Sequence, residues 1–326
     1  MFRERTSAFL SGIAALLACA AAAAADSPLA TLHPITASDS VLIVAPHPDD
    51  ESLCCGGLIH AARRAGANVS IVWITSGDGF RWDAMVVERT LRPRGGAFNE
   101  LARLRIAEAR AAAEVLDVPR EAQYFLGYPD RGILPLLFDH YHDGWRSKFT
   151  GDTAVPFADE FDPGAPYDGA DLVRDFTAVV ERTRPTRVFA PSPQDTHPDH
   201  RATGLLVGRV MQARGQADRV RYWIVHGGRG WPSPHALHPD LPQVIAPRGR
   251  GMDWQQFGLD EAAREAKLGA VMEHRTQRKV MGHVMMGYVR ATELYSTVPV
   301  PEHDERCLRA EPCDFEKAPA SEKAAF

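Results

Sequence analysis

Two copies of one short word govern what this chain can fold into: His47-Pro48-Asp49-Asp50 and His197-Pro198-Asp199-His200. Each follows an apolar, strand-like run, residues 41–45 in the first case and 187–190 in the second, and each opens a helix-like run. In an open α/β sheet, residues just past the carboxyl ends of the strands converge on one crevice, where ligands bind. The pattern therefore predicts that the two words face each other across one site and supply three His and three Asp to it. Such an inventory suits a divalent metal with a hydrolytic role. It points to a zinc hydrolase.

The rest of the chain alternates in the same way. Strands are expected at 41–45, 69–75, 124–126, 187–190 and 220–225, and helices at 51–65, 101–116, 170–182, 203–213 and 260–273. This order predicts a Rossmann-like three-layer α/β sandwich with a mostly parallel sheet. Three long segments without periodicity, about 77–98, 128–168 and 227–258, follow strands and are rich in Gly, Pro, Trp and Asp. Loops of that length in a compact domain usually carry function, and these should rise on the rim that holds the two words. Cys54 and Cys55 fall on the helix after the first word. They read as buried small apolar residues rather than ligands, because adjacent cysteines pair only with strain.

The 326 residues suffice for one large domain or two small ones. Arg3 and Arg5, an alanine-rich stretch over residues 8–24 and a small-residue site before Asp26 read as a bacterial-type export signal. Leu16-Leu17-Ala18-Cys19 loosely resembles a lipobox, which offers Cys19 as a lipidated N-terminus. Removing residues 1–25 takes away two arginines and one glutamate, so the net charge moves from −5 to −6. A mildly acidic mature chain without a basic stripe argues against nucleic acid as a partner. The expected location is periplasmic or secreted. The tail from about residue 301 is polar, and its Cys307 and Cys313 could pair in an oxidising compartment.

The chemistry follows from the two words. Pro48 biases His47 towards an extended conformation that suits the exit from a strand. Asp49 and Asp50 then fall at a helix start, where one carboxylate would serve as a cap. Neighbouring carboxylates point in different directions, so one can bind a metal while the other faces the bound water and takes its proton. His200 can complete a three-ligand site with an open fourth position, the arrangement of catalytic zinc. His197 is then free to face the substrate, with Asp199 to set its tautomer and favour its charged form.

At this point the residues resemble a known family. Ala45-Pro46-His47-Pro48-Asp49-Asp50-Glu51 looks like the Ala-His-Pro-Asp-Asp-Glu signature of the PIG-L/LmbE-like zinc N-deacetylases, with Pro46 inserted, and His197-Pro198-Asp199-His200 looks like their second signature. The resemblance runs through most of residues 40–280 and includes 75–79, 126–130, the Arg105–Glu108 region and Thr276-Gln277. It implies one deacetylase domain over 26–300. It implies zinc held by His47, Asp50 and His200, Asp49 as general base, His197 on the oxyanion with Asp199 orienting it, and Arg105 contacting substrate or base. The reaction so implied is hydrolysis of an N-acetyl amide on an amino sugar or glycoconjugate by a zinc-bound water.

Asp130, after the third strand, and His226, at the end of the fifth, are further candidates for substrate contact, as are Trp82, Trp145 and Trp231 in the long loops. His140 and His142 have ligand-like spacing but read as exposed loop residues. Two rival functions stay open at this stage: a zinc amidase for a non-sugar or thiol-conjugate substrate, and a zinc-dependent carbohydrate-binding module. A second carboxylate at the water speaks against the module.

Overall fold

Alternating side chains in two strands decide the architecture. In β2 (Ser40–Ala45), Val41, Ile43 and Ala45 enter one buried cluster while Leu42 and Val44 enter another. In β3 (Asn68–Thr75), Ile71 and Trp73 join the first cluster and Val72 and Ile74 the second. Successive side chains on a strand point to opposite faces, so both faces of the sheet are covered. The computed structural model describes residues 29–87 and 93–301. Residues 1–25, expected to be an export signal, lie outside the described residues with Cys19, Cys307, Cys313 and the tail beyond 301.

The remaining strands are β1 (Ala30–Thr31), β4 (Gln123–Tyr128), β5 (Arg187–Pro191), β6 (Val220–Trp223), β7 (Trp254–Gly258) and β8 (Thr292–Ser296). The helices are α1 (Asp50–Arg64), α2 (Arg81–Val87), α3 (Gly95–Val115), α4 (Ile133–Phe138), α5 (Gly169–Thr183), α6 (Pro198–Ala213), α7 (Glu261–Glu273) and α8 (Arg275–Met285). One eight-stranded sheet runs β1-β7-β8-β6-β5-β2-β3-β4. Only β8 is antiparallel to its neighbours. Helices α1, α3 and α7 contribute to the first cluster, and α4, α5 and α6 to the second. The chain runs outward from β2 through β3 to β4, then returns to place β5 on the other side of β2. The crevice between the ends of β2 and β5 is therefore the topological switch point.

The expected three-layer α/β sandwich is the observed one, and the differences are local. The helix expected from 203 begins at Pro198, because the second word forms its first turn with proline at the first helical position. The helix expected from 101 begins at Gly95. The three segments read as loops contain α2, α4 and β7. Their short apolar runs acquire order only by packing on the sheet. Cys54 and Cys55 are buried as expected, but they are joined to each other in a disulfide, which the sequence reading set aside.

A buried ion pair ties α7 and β8 to α1. Lys267 Nζ lies 2.7 Å from Glu293 Oε1, and both side chains are almost inaccessible to solvent. Glu293 also accepts from Gly57 N, Leu58 N and Tyr295 Oη. Burial presses the Lys267 amine down from its ordinary pKa, and Glu293 opposes the fall. Removing one partner of such a pair strands the other charge, at about 3–5 kcal/mol. Glu293→Gln should therefore lose about that much stability in urea unfolding, and a variant losing less than ~1 kcal/mol would show the pair to be incidental.

Candidate active site

Pro46 carries the ladder of β2 past its last paired residue, since its carbonyl accepts from both the backbone N–H and the hydroxyl of Thr75. His47 then leaves the sheet and Asp50 opens α1. On the neighbouring strand, His197 caps α6 and His200 sits in its first turn. Three donor atoms meet where the words face each other. His47 Nδ1 lies 3.2 Å from Asp50 Oδ2, His200 Nε2 lies 3.1 Å from the same oxygen, and the two ring nitrogens are 3.3 Å apart. All three residues are buried. A tetrahedral ion with bonds of about 2.0–2.1 Å has ligand atoms roughly 3.3 Å apart. The triad fits a tetrahedral dication with one face left open.

Each histidine of the triad has a carboxylate behind it. His47 Nε2 lies 3.2 Å from Asp199 Oδ2, and His200 Nδ1 lies 3.2 Å from Asp195 Oδ2. Carboxylates in that position fix the ring and raise its basicity as a ligand. Burial alone would depress the His200 pKa, but Asp50 and Asp195 outweigh it and raise the ring to about 9. His47 is raised well above its usual range in the same way, against its burial, by Asp130, Asp199 and Asp50. The pocket's field is built for a cation.

This arrangement corrects the role expected of Asp199. Its carboxylate accepts from His47 and from the backbone N–H groups of Arg131 and Ile133. What reaches His197 is the Asp199 backbone N–H, which donates to Nδ1 at 3.3 Å. A neutral His197 must then carry its proton on Nε2. Nor is its charged form favoured: burial, with His47 and His200 close by, drives the His197 pKa well below the usual value.

Asp49 is the strained residue of the site. Its φ of 139° is one that side chains other than glycine rarely adopt. Three hydrogen bonds hold the peptide there. Pro48 O accepts from Arg105 Nη2 at 2.7 Å and from Gln277 Nε2 at 2.8 Å, and Asp49 N donates to Glu51 Oε2 at 3.0 Å. Arg105 also donates to Gly77 O, and it passes so close that a Cβ at Gly77 would lie 2.4 Å from the guanidinium. Strain held by several contacts is characteristic of functional positions. Burial lifts the Asp49 carboxyl to about 6, with Arg105 opposing and Asp50 reinforcing the rise.

Arg105 was expected to contact substrate or base. Its guanidinium is buried and lies 3.5 Å from Asp49 Oδ1, so it braces the turn that carries Asp49. Asp130 lies across the cleft, with Oδ2 accepting from Gly79 N and Oδ1 3.6 Å from His47 Nε2. His226 packs its ring against His197 and His200, and its backbone N–H donates to Asp195 Oδ2. Trp231 lines the cleft, Trp145 is buried in the second cluster, and Trp82 is 64% exposed. His140 and His142 take no part in the site's ligand clusters. The sequence reading missed Asp195, His274 and the support from Glu51, whose Oε1 is 3.0 Å from His274 Nε2. Only the position of Asp195, just past the end of β5, could have drawn attention to it.

A cleft of about 360 Å³ opens on this cluster. Comparison with known proteins follows the same line. The model of the PIG-L family, described as GlcNAc-PI de-N-acetylase, matches residues 42–211. The 1D-myo-inositol 2-acetamido-2-deoxy-alpha-D-glucopyranoside deacetylase of Mycobacterium sp. (strain KMS) is 27% identical over 296 residues, covering 83% of each chain. The protein of the same name from Corynebacterium urealyticum is 31% identical over 225 residues, 65% of this chain and 59% of that one. Among solved structures, an antimicrobial-reagent pseudoaglycone deacetylase superposes with a TM-score of 0.50 at 18% identity, covering 79% of this chain and 96% of that chain. The last likeness concerns the fold alone.

The second-layer carboxylates yield a test. Asp199→Asn should weaken divalent-metal affinity by roughly 10–100-fold, the usual effect of losing such support. Competition with a chromophoric chelator reads this directly. Unchanged affinity would return Asp199 to the role of orienting His197.

Proposed function

The chain belongs to the PIG-L family, and from that premise we propose that it is an exported, zinc-dependent hydrolase that removes an N-acetyl group from an amino sugar or glycoconjugate. The observation that carries the reading is the meeting of His47 Nδ1, Asp50 Oδ2 and His200 Nε2 within 3.1–3.3 Å of one another. The family model and the named deacetylase relatives support the amide-hydrolase class. No described helix is long and apolar enough to cross a membrane. The leader composition of residues 1–25 supports export, with Cys19 as the alternative lipid-bearing terminus.

When bound by His47, Asp50 and His200, zinc supplies Lewis acidity at the scissile carbonyl and lowers the pKa of coordinated water towards neutrality. Asp49, half-buried beside that triad and poised near pH 6 by its burial, accepts the proton of the attacking water. The strained turn holds its carboxylate in place. His197 donates from Nε2, as a neutral ring, to the oxygen on which negative charge develops. Asp49 then returns the proton to the leaving amine, and the C–N bond breaks.

Elemental analysis of the mature protein should give one zinc per chain. Asp49→Asn should keep that zinc while the rate of amine release falls at least ~10²-fold. Loss of zinc on Asp49→Asn with metal and rate intact in Asp50→Asn would reverse the two roles. Mass spectrometry of the native N-terminus should find Asp26, or a diacylated Cys19. An intact Met1 on cytosolic protein would remove the export part of the proposal.

A further inference from the structure

The peptide between Pro48 and Asp49 is gripped on both sides by one distant stretch of chain, the junction of α7 and α8. His274 stands between the two helices, fully buried, with a backbone conformation that continues neither. Its Nε2 lies 3.0 Å from Glu51 Oε1 and 3.0 Å from Ser52 Oγ. A carboxylate only accepts, so the ring carries a proton on Nε2 and donates it to Glu51. His274 Nδ1 has no hydrogen-bond partner among the described residues, so the ring bonds through Nε2. The other oxygen of Glu51 accepts from Trp73 Nε1 at 2.8 Å and from Asp49 N at 3.0 Å. Farther along the same junction, Gln277 donates to Pro48 O. Thr276 fixes the junction in turn to α3, the helix that carries Arg105, through two hydrogen bonds to Glu108.

Holding α7 against α1 does not require this arrangement, because the Lys267–Glu293 pair already does so. What sets Glu51 apart is that its second oxygen ends on the N–H of the strained residue. A φ of 139° persists only where the surrounding contacts hold it. We propose that His274 is a positioning residue for Asp49: its Nε2 proton fixes the Glu51 carboxylate, Glu51 fixes the Asp49 amide, and the Asp49 side chain thereby keeps its place in the cleft. The inference rests on the hydrolase reading above, in which Asp49 is the base. It gives a part in the reaction to a residue outside the cleft lining.

The test uses the full-length, zinc-loaded protein and a panel of N-acetyl amino sugars, and follows the free amine. His274→Phe removes the donor and keeps a ring in the buried space. It should lower kcat about 10–100-fold, the scale of a misplaced catalytic group, and leave KM within about threefold because substrate binding is untouched. Zinc affinity, read by chelator competition, should not change. His274→Gln, whose amide N–H can stand in for Nε2–H, should recover most of the loss. In an Asp49→Asn background His274→Phe should cost less than about threefold, since the group it positions is gone. Amide hydrogen exchange at Asp49 needs no substrate, and should run at least ~10-fold faster in His274→Phe and near the wild-type rate in His274→Gln. If the phenyl ring prevents folding, His274→Asn, whose amide is too short to reach Glu51, takes its place in every arm. An equal loss of kcat in the Asp49→Asn background, weakened zinc binding or unchanged Asp49 exchange overturns the inference and leaves the hydrolase reading standing. Wild-type protein that releases amine from no member of the panel overturns the hydrolase reading and the inference with it.

Discussion

The parallel pairing of β2 with β5 is the constraint on which the site depends. The register matches Val41 to Arg187, Leu42 to Val188 and Ile43 to Phe189. From that register His47 leaves one strand end while His197 and His200 stand at the start of the helix leaving the other. The 146 residues between the words return by way of β3, β4 and α5, a right-handed crossover route being the usual one for parallel strands. A slip of one residue would send every β2 side chain to the opposite buried layer and carry His47 out of line with His197 and His200. Burial of the core and assembly of the site are the same event.

Burying so many ionisable groups at one crevice is unfavourable unless each has a partner. Here the carboxylates alternate with the histidines: Asp50 between His47 and His200, Asp199 behind one and Asp195 behind the other. Backbone N–H groups from Arg131, Ile133, Val225 and His226 satisfy remaining carboxylate lone pairs. The strand-end loops thus do electrostatic work before any substrate arrives. The strain at Asp49 fits the same picture. Arg105, Gln277 and Glu51 hold the turn from three elements, so stability gained elsewhere keeps Asp49 in place.

The two halves of the molecule contribute differently to the cleft. The β2–β5 switch point supplies the chemistry, with residues close to the sheet and tightly held. The rest of the lining comes from the loops after β3, β4 and β6 and from α8. One scaffold can therefore keep its reaction while its flanks vary with the substrate, which is how function is commonly grafted on α/β folds.

The sequence by itself determined the alternation of strands and helices, the three-layer class, and the presence of His47, Asp49, Asp50, His197 and His200 on one rim. Those depend on local periodicity and on the rule that strand ends share a crevice, both visible in one dimension. It did not reveal that α6 starts at Pro198, that Arg105 braces the Asp49 turn, or that β7 and β8 extend the sheet with an antiparallel strand. Nor did it reveal that Asp199 serves His47, or that Asp195, His274 and the Lys267–Glu293 pair matter at all. Each of these is a contact between residues far apart in the chain, or a side chain choosing one of two neighbours within hydrogen-bond reach. Such choices are made by burial and by the competition of donors for one carboxylate, and only the tertiary structure decides them.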